Sequence, residues 1–115
     1  GGAGDGATRI ENRLGEPAAN PYVCMAGQIH AGLDGVDQRL AAPQGTEAPY
    51  AEGSQRIPNN LGDALAALRA DAAMVKGLGE TVVNHFCRIK QNELDRHAAA
   101  EDKTDFERRE YFSRY

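Results

Sequence analysis

Tryptophan is missing from this chain, and aromatic residues make up only 6% of its 115 positions. Cysteine is scarce too. Cys24 and Cys87 lie far apart, with no CxxC pair and no histidine at metal-ligand spacing. That excludes a cysteine-built zinc site and leaves two reduced thiols, as expected of a cytoplasmic protein. No apolar run approaches the roughly 18–20 residues that span a bilayer. No basic stretch followed by an apolar one marks a secretory signal. An excess of positive charge is also lacking: 13 basic residues face 17 acidic ones, a net charge of -4. Nucleic acid, which favours a basic stripe, is therefore not an expected partner, and neither is a membrane. The chain has no internal repeat and no initiating methionine, and it opens on the glycine-rich GGAGDGAT.

What is present begins at Arg9. Residues Arg9 to Arg13 read RIENR, with Arg9, Glu11 and Arg13 alternating with Ile10 and Asn12. In a strand, successive side chains point to opposite faces, so all three charges would share one face. A strand over 9–13 has no obvious partner strand in the first half of the sequence. An isolated strand leaves its backbone groups unpaired, so it needs a sheet from elsewhere. The expectation is therefore a C-terminal fragment of a longer chain, an α+β piece that is mostly helical with one N-terminal strand.

The helices announce themselves by caps and period. Asn20 is a good N-cap and Pro21 fits the first helical position, where its missing N–H costs nothing. Val23, Ala26, Ile29, Leu33, Val36 and Leu40 then recur at steps of three and four, predicting one apolar face. Gly27, Gly32 and Gly35 imply close packing against another backbone or a helix end near Gly35. Tyr22 and Met25 are expected in the core, and His30 packed or hydrogen-bonded. Residues 41–60 carry three prolines and no periodicity, the mark of a long surface loop. Asn60 predicts a second helix with Leu61, Ala64, Leu65, Leu68 and Ala72 inward. A third, from about Glu80, is expected to bury Val82, Phe86, Ile89 and Leu94. The run from Arg88 reads as a solvated charged face, and TDFE, Thr104 to Glu107, as a capping box. His85 and His97 are too far apart for a joint metal site and receive no role.

A glutamate flanked by arginines has two readings. One is a solvated strand whose pairs contribute little. The other is a polyanion site, in which Glu11 holds a hard divalent cation and the arginines grip phosphate or carboxylate oxygens. One glutamate cannot complete a magnesium site, which wants six oxygens.

The surrounding words add a resemblance. RIENRLGEPAANPY, from Arg9 to Tyr22, followed by AGLDG at Ala31 to Gly35, resembles the C-terminal part of the glutamine synthetase catalytic domain. The similarity continues through NLGDALAALRAD (Asn60 to Asp71) and DFERREYF (Asp105 to Phe112), where Phe106 stands for the family's usual tryptophan. It covers nearly the whole of 1–115. The resemblance implies a ligase that phosphorylates the γ-carboxylate of glutamate from ATP and then lets ammonia or another amine displace phosphate. It implies Glu11 as a ligand of Mg²⁺ or Mn²⁺, Arg9 near the ATP phosphates, and Arg13 as the catalytic residue that binds substrate glutamate. It also implies ring-shaped homo-oligomers. The family's other metal ligands and its ammonium-site acid lie upstream of this segment. The wording of residues 11–35 looks closer to divergent branches that use other amines. The competing expectation is an inactive, truncated helical module that acts only through protein–protein contacts.

Overall fold

Asn20 sets the first element. Its side-chain oxygen accepts from the N–H groups of Tyr22 and Val23 at 3.0 and 3.2 Å, satisfying donors that a helix start leaves unpaired. In the computed structural model, which describes residues 4–7, 9, 11–43, 45 and 56–112, α1 then runs Pro21–Asp37. Four more helices follow: α2 (Leu61–Ala70), α3 (Ala72–Leu78), α4 (Glu80–Ala99) and α5 (Lys103–Glu107). The last passes directly into a π-helical turn, Arg108–Phe112.

The caps explain the breaks. Asn60 accepts from Asp63 N at 2.9 Å to start α2, as its sequence position predicts. Asp71 ends α2 and caps α3, accepting from Met74 N at 2.9 Å. The expected second helix through Ala72 is thus two elements, because one aspartate offers the backbone an alternative to continuing. Gly79, at φ +88°, turns α3 into α4, a conformation that favours glycine. At the C-terminal end Asp102, not Thr104, is the cap, accepting from Asp105 N at 2.9 Å. Lys103 Nζ donates to the carbonyls of His97, Ala98 and Ala100 at 2.5–2.7 Å, tying down the end of α4.

The expected strand over 9–13 is not formed among the described residues: Arg9 and residues 11–16 have no regular structure, and Ile10 lies outside the described set. The physical reason is the one that made the strand conditional, since no second strand stands beside it. Of the 41–60 loop, the described residues 41–43, 45 and 56–60 carry no helix or strand. Residues 44 and 46–55 lie outside the described set, as do 1–3, 8 and 113–115.

α2 and α4 pack together, with α3 beside both and α1 laid on α3. The core is small: Leu65, Val83 and Cys87 are buried, with Leu61, Leu68, Val75, Leu78 and Phe86 packed against them. On α4 the buried face is rotated from the one expected. Val83 and Cys87 point inward while Val82 and Ile89 are exposed.

On α1 the difference is larger. The face toward α3 contains Gly27, whose β-position would lie 3.4 Å from Met74 Cε, and His30, which abuts Gly77. Gly32 and Gly35 have open space. The apolar stripe of Tyr22, Met25, Ile29, Leu33, Val36 and Leu40 is uncovered, from 54% exposed at Leu33 to 78% at Tyr22. Tyr22 and Met25 are therefore not core residues in this chain. Periodicity identifies residues that share a face, and nothing within these helices is placed to cover this one.

The α1–α3 contact makes a sharp prediction. A β-carbon at Gly77 would stand 2.5 Å from His30 Cγ. Alanine at an interior helix position normally gains up to about 1 kcal/mol over glycine. Here Gly77→Ala is expected to destabilise by about 1–3 kcal/mol through overpacking. His30→Ala in the same chain should restore most of it. Urea unfolding of the four variants checks this, and an absent rescue would mean the contact is not the cause.

Candidate functional site

Arg9, Glu11 and Arg13 meet without a strand to align them. Arg13 Nε donates to Glu11 Oε1 at 2.9 Å, and Arg9 Nη2 stands 4.0 Å from Glu11 Oε2. Arg9 Nη1 also donates to the Ala7 carbonyl at 3.2 Å. The carboxylate thus sits between two guanidinium groups, and all three side chains are largely exposed. Exposed pairs of this kind add about 0–1 kcal/mol, so the arrangement contributes little to stability. Chemically it offers two planar cations able to take phosphate or carboxylate oxygens, and one hard oxygen donor. Among the described residues no group of three or more His, Cys, Asp or Glu is gathered to hold a metal ion. A hard divalent cation takes about six oxygens, so Glu11 alone does not make a metal site among the described residues.

Behind this segment Glu16 to Asn20 curves into α1. Glu16 Oε1 accepts from Ala18 N at 3.4 Å and the Glu16 carbonyl from Ala19 N at 2.9 Å, which is turn chemistry. The same turn forms one wall of a cavity of about 920 Å³. Val23 and Cys24 of α1 continue that wall, and Phe86, Lys90, Glu107, Tyr111 and Phe112 form the opposite one.

The far wall is held by buried charge. Glu93 and Glu110 are buried, contrary to the solvated face expected of this stretch. Lys90 Nζ donates to Glu93 Oε2 at 2.7 Å, and the Tyr111 hydroxyl donates to Glu93 Oε1. Arg96 grips Glu110 with both terminal nitrogens, at 2.8 and 2.9 Å. That bond to Glu110 raises the Arg96 pKa above its ordinary value. Burial, reinforced by the bond to Glu93, pushes the Tyr111 phenol up as well. The hydrogen bond from Arg108, joined by Arg109, holds the Asp105 carboxyl below its usual range. His97 packs edge-on against Phe106 at 5.5 Å, its Nε2 3.3 Å from Glu107 Oε1 but out of hydrogen-bond alignment. The DFERREYF motif marked one side of this cluster, Asp105 to Phe112, but not its pairing with Glu93 and Arg96 of α4. On α4 the signal was that lysine and glutamate three apart on a helix are neighbours.

The family model of the glutamine synthetase catalytic domain matches residues 2–111, and the chain belongs to that family. Human lengsin is 39% identical over 112 residues, covering 95% of this chain and 22% of that protein. A γ-glutamylanilide synthase of Acinetobacter is 38% identical over 121 residues, covering 96% of this chain and 24% of its own. A glutamine synthetase of Methanococcus voltae is 38% identical over 113 residues, with 90% and 25% covered. The chain thus spans about a quarter of the length of these curated relatives. No solved structure matches. Among the described residues no helix is long and apolar enough to cross a membrane.

Proposed function

We propose that residues 1–115 form the C-terminal portion of the catalytic domain of a cytoplasmic, homo-oligomeric ATP-dependent ligase that amidates the γ-carboxylate of glutamate. The observation that carries this is the convergence of Arg9 and Arg13 on Glu11, within the segment whose wording matches the family. In the first step a γ-carboxylate oxygen of glutamate attacks the terminal phosphorus of ATP and ADP leaves. In the second, the neutral amine nitrogen attacks the acyl carbon of the γ-glutamyl phosphate, phosphate leaves with the bonding pair, and the nitrogen's extra proton passes to the departing phosphate or to water.

Both steps crowd negative charge, and preorganised cations aimed at that charge lower the barrier. Arg9 takes phosphate oxygens. Arg13, released from Glu11, orients the substrate glutamate through a two-pronged contact. Glu11 supplies one oxygen to Mg²⁺ or Mn²⁺, a metal that would neutralise the phosphates when bound. The acceptor is ammonia or another amine, and the Acinetobacter relative is named for an anilide product.

The test is Glu11→Gln in the complete subunit. The expected outcome is a loss of at least about tenfold in kcat/KM at limiting Mg²⁺, of the size that losing a metal-supporting group brings. The far-ultraviolet circular dichroism should be unchanged, because the side chain is exposed. An unaltered metal dependence of turnover would remove Glu11 from the site.

A further inference from the structure

We infer that residues 101–112 form a strap that opens from α4 as one unit while α2–α4 stay folded, with the Arg96–Glu110 pair as its catch. The strap comprises the link after α4, then α5 and the π-helical turn. It adds nothing to the core: the buried cluster and the side chains packed on it all come from α2, α3 and α4. Its last ring, Phe112, is 81% exposed.

The backbone is held as loosely. No Cα of the π-helical turn lies within 8 Å of one in α4, and neither α5 nor the turn comes that close to α1. Side chains do the fastening. Arg96 holds Glu110 with both terminal nitrogens, donates from Nε to Asn92 Oδ1 at 3.1 Å, and lies 5.4 Å from the centre of the Phe106 ring. One residue of α4 thus meets both α5 and the turn. Tyr111 is the second fastening, bonded to Glu93 and faced by the Lys90 ammonium at 5.6 Å. The π-helical form, which recurs at functional sites, lets the adjacent Glu110 and Tyr111 both reach α4. A segment with few buried apolar contacts opens at lower free energy than the core it lies on.

Charge makes Arg96 the catch. The Glu110 side chain is 9% exposed and that of Arg96 45%, so water reaches the guanidinium but not the carboxylate while the strap is shut. Taking the guanidinium away leaves a buried carboxylate without its two-pronged partner, a costly state that lifting the strap relieves by hydration. Lifting carries Glu107, Tyr111 and Phe112 away from Phe86 and Lys90, which opens one wall of the cavity described above.

Hydrogen exchange of the 115-residue chain, read by mass spectrometry, tests this. Arg96→Met should speed exchange over 103–112 by at least about tenfold, as expected on breaking a buried pair from one side. Exchange over 83–87, in the core, should stay within about twofold of the unaltered chain. In the Arg96→Met, Glu110→Met double variant no charge is stranded, and 103–112 should return to within about threefold of its original rate. Acceleration of 83–87 in step with 103–112 would show that no separate strap exists. Unchanged exchange over 103–112 in Arg96→Met, or a double variant as fast as the single one, would overturn the catch.

Discussion

Replacing Leu65 by alanine is expected to lower stability by about 2–5 kcal/mol, the range for deleting a fully buried leucine side chain. Leu65 is 2% exposed and shares the core with Val83 and Cys87. A domain's whole stability is about 5–15 kcal/mol, and with so few buried side chains this chain belongs at the lower end. Leu65→Ala should therefore leave a substantial unfolded fraction without denaturant. The control is Leu33→Ala on the uncovered stripe of α1, which removes the same atoms from a residue 54% exposed and should fall within about 0.5 kcal/mol of the unaltered chain. Urea titrations followed by circular dichroism give both values. Equal losses at the two positions would mean that α2–α4 is not the core.

The second large effect is expected at Glu93. Its carboxylate accepts from Lys90 and from the Tyr111 hydroxyl in a site where Glu93 itself is buried. Hydrogen bonds to a charged group contribute about 1.5–3 kcal/mol, so Glu93→Ala should cost about 2–4 kcal/mol and strand the Lys90 ammonium. Glu93→Gln, which keeps an acceptor for Tyr111, should cost less. The pH dependence has a definite sign. Burial first, then the bond to Glu93, holds the proton on Tyr111 above the point near pH 10 at which a free tyrosine loses it. The contribution is therefore complete below about pH 10 and is lost as pH rises toward the folded-state pKa. Tyr111→Phe should flatten that alkaline loss in thermal melts taken from pH 8 to 11. An alkaline limb identical in both proteins would show that the phenol is not responsible.

Much of this was legible locally. Asn20, Pro21 and Asn60 act within one helical turn, so their roles can be read from neighbours in sequence, and α1 and α2 start where those residues place them. The resemblance carried by RIENRLGEPAANPY was also legible, and the family match bears it out. What was not legible depends on partners. The period of α1 predicted a buried face of Val23, Ala26, Ile29, Leu33, Val36 and Leu40, but Ile29, Leu33, Val36 and Leu40 are exposed, because an apolar stripe does not say what covers it. On α4, Val83 and Cys87 are inside although Val82 and Ile89 offer comparable hydrophobicity. Only the placement of α2 decides between them. Glu93 and Glu110 looked like surface charge because their partners include residues 14 and 18 positions away in sequence. The trio at Arg9, Glu11 and Arg13 was read as a strand face. It converges instead through ion pairing of its own side chains.

Lys103 has a consequence of a different sort. Its ammonium has three protons for three backbone acceptors, the carbonyls of His97, Ala98 and Ala100. Acylation would leave a single N–H and no charge, returning two of those carbonyls to water. The corner where α4 hands over to α5 is thus fastened by one amine with no spare donor. An acylating reagent acting there would loosen the aromatic wall at Tyr111 and Phe112 without touching it.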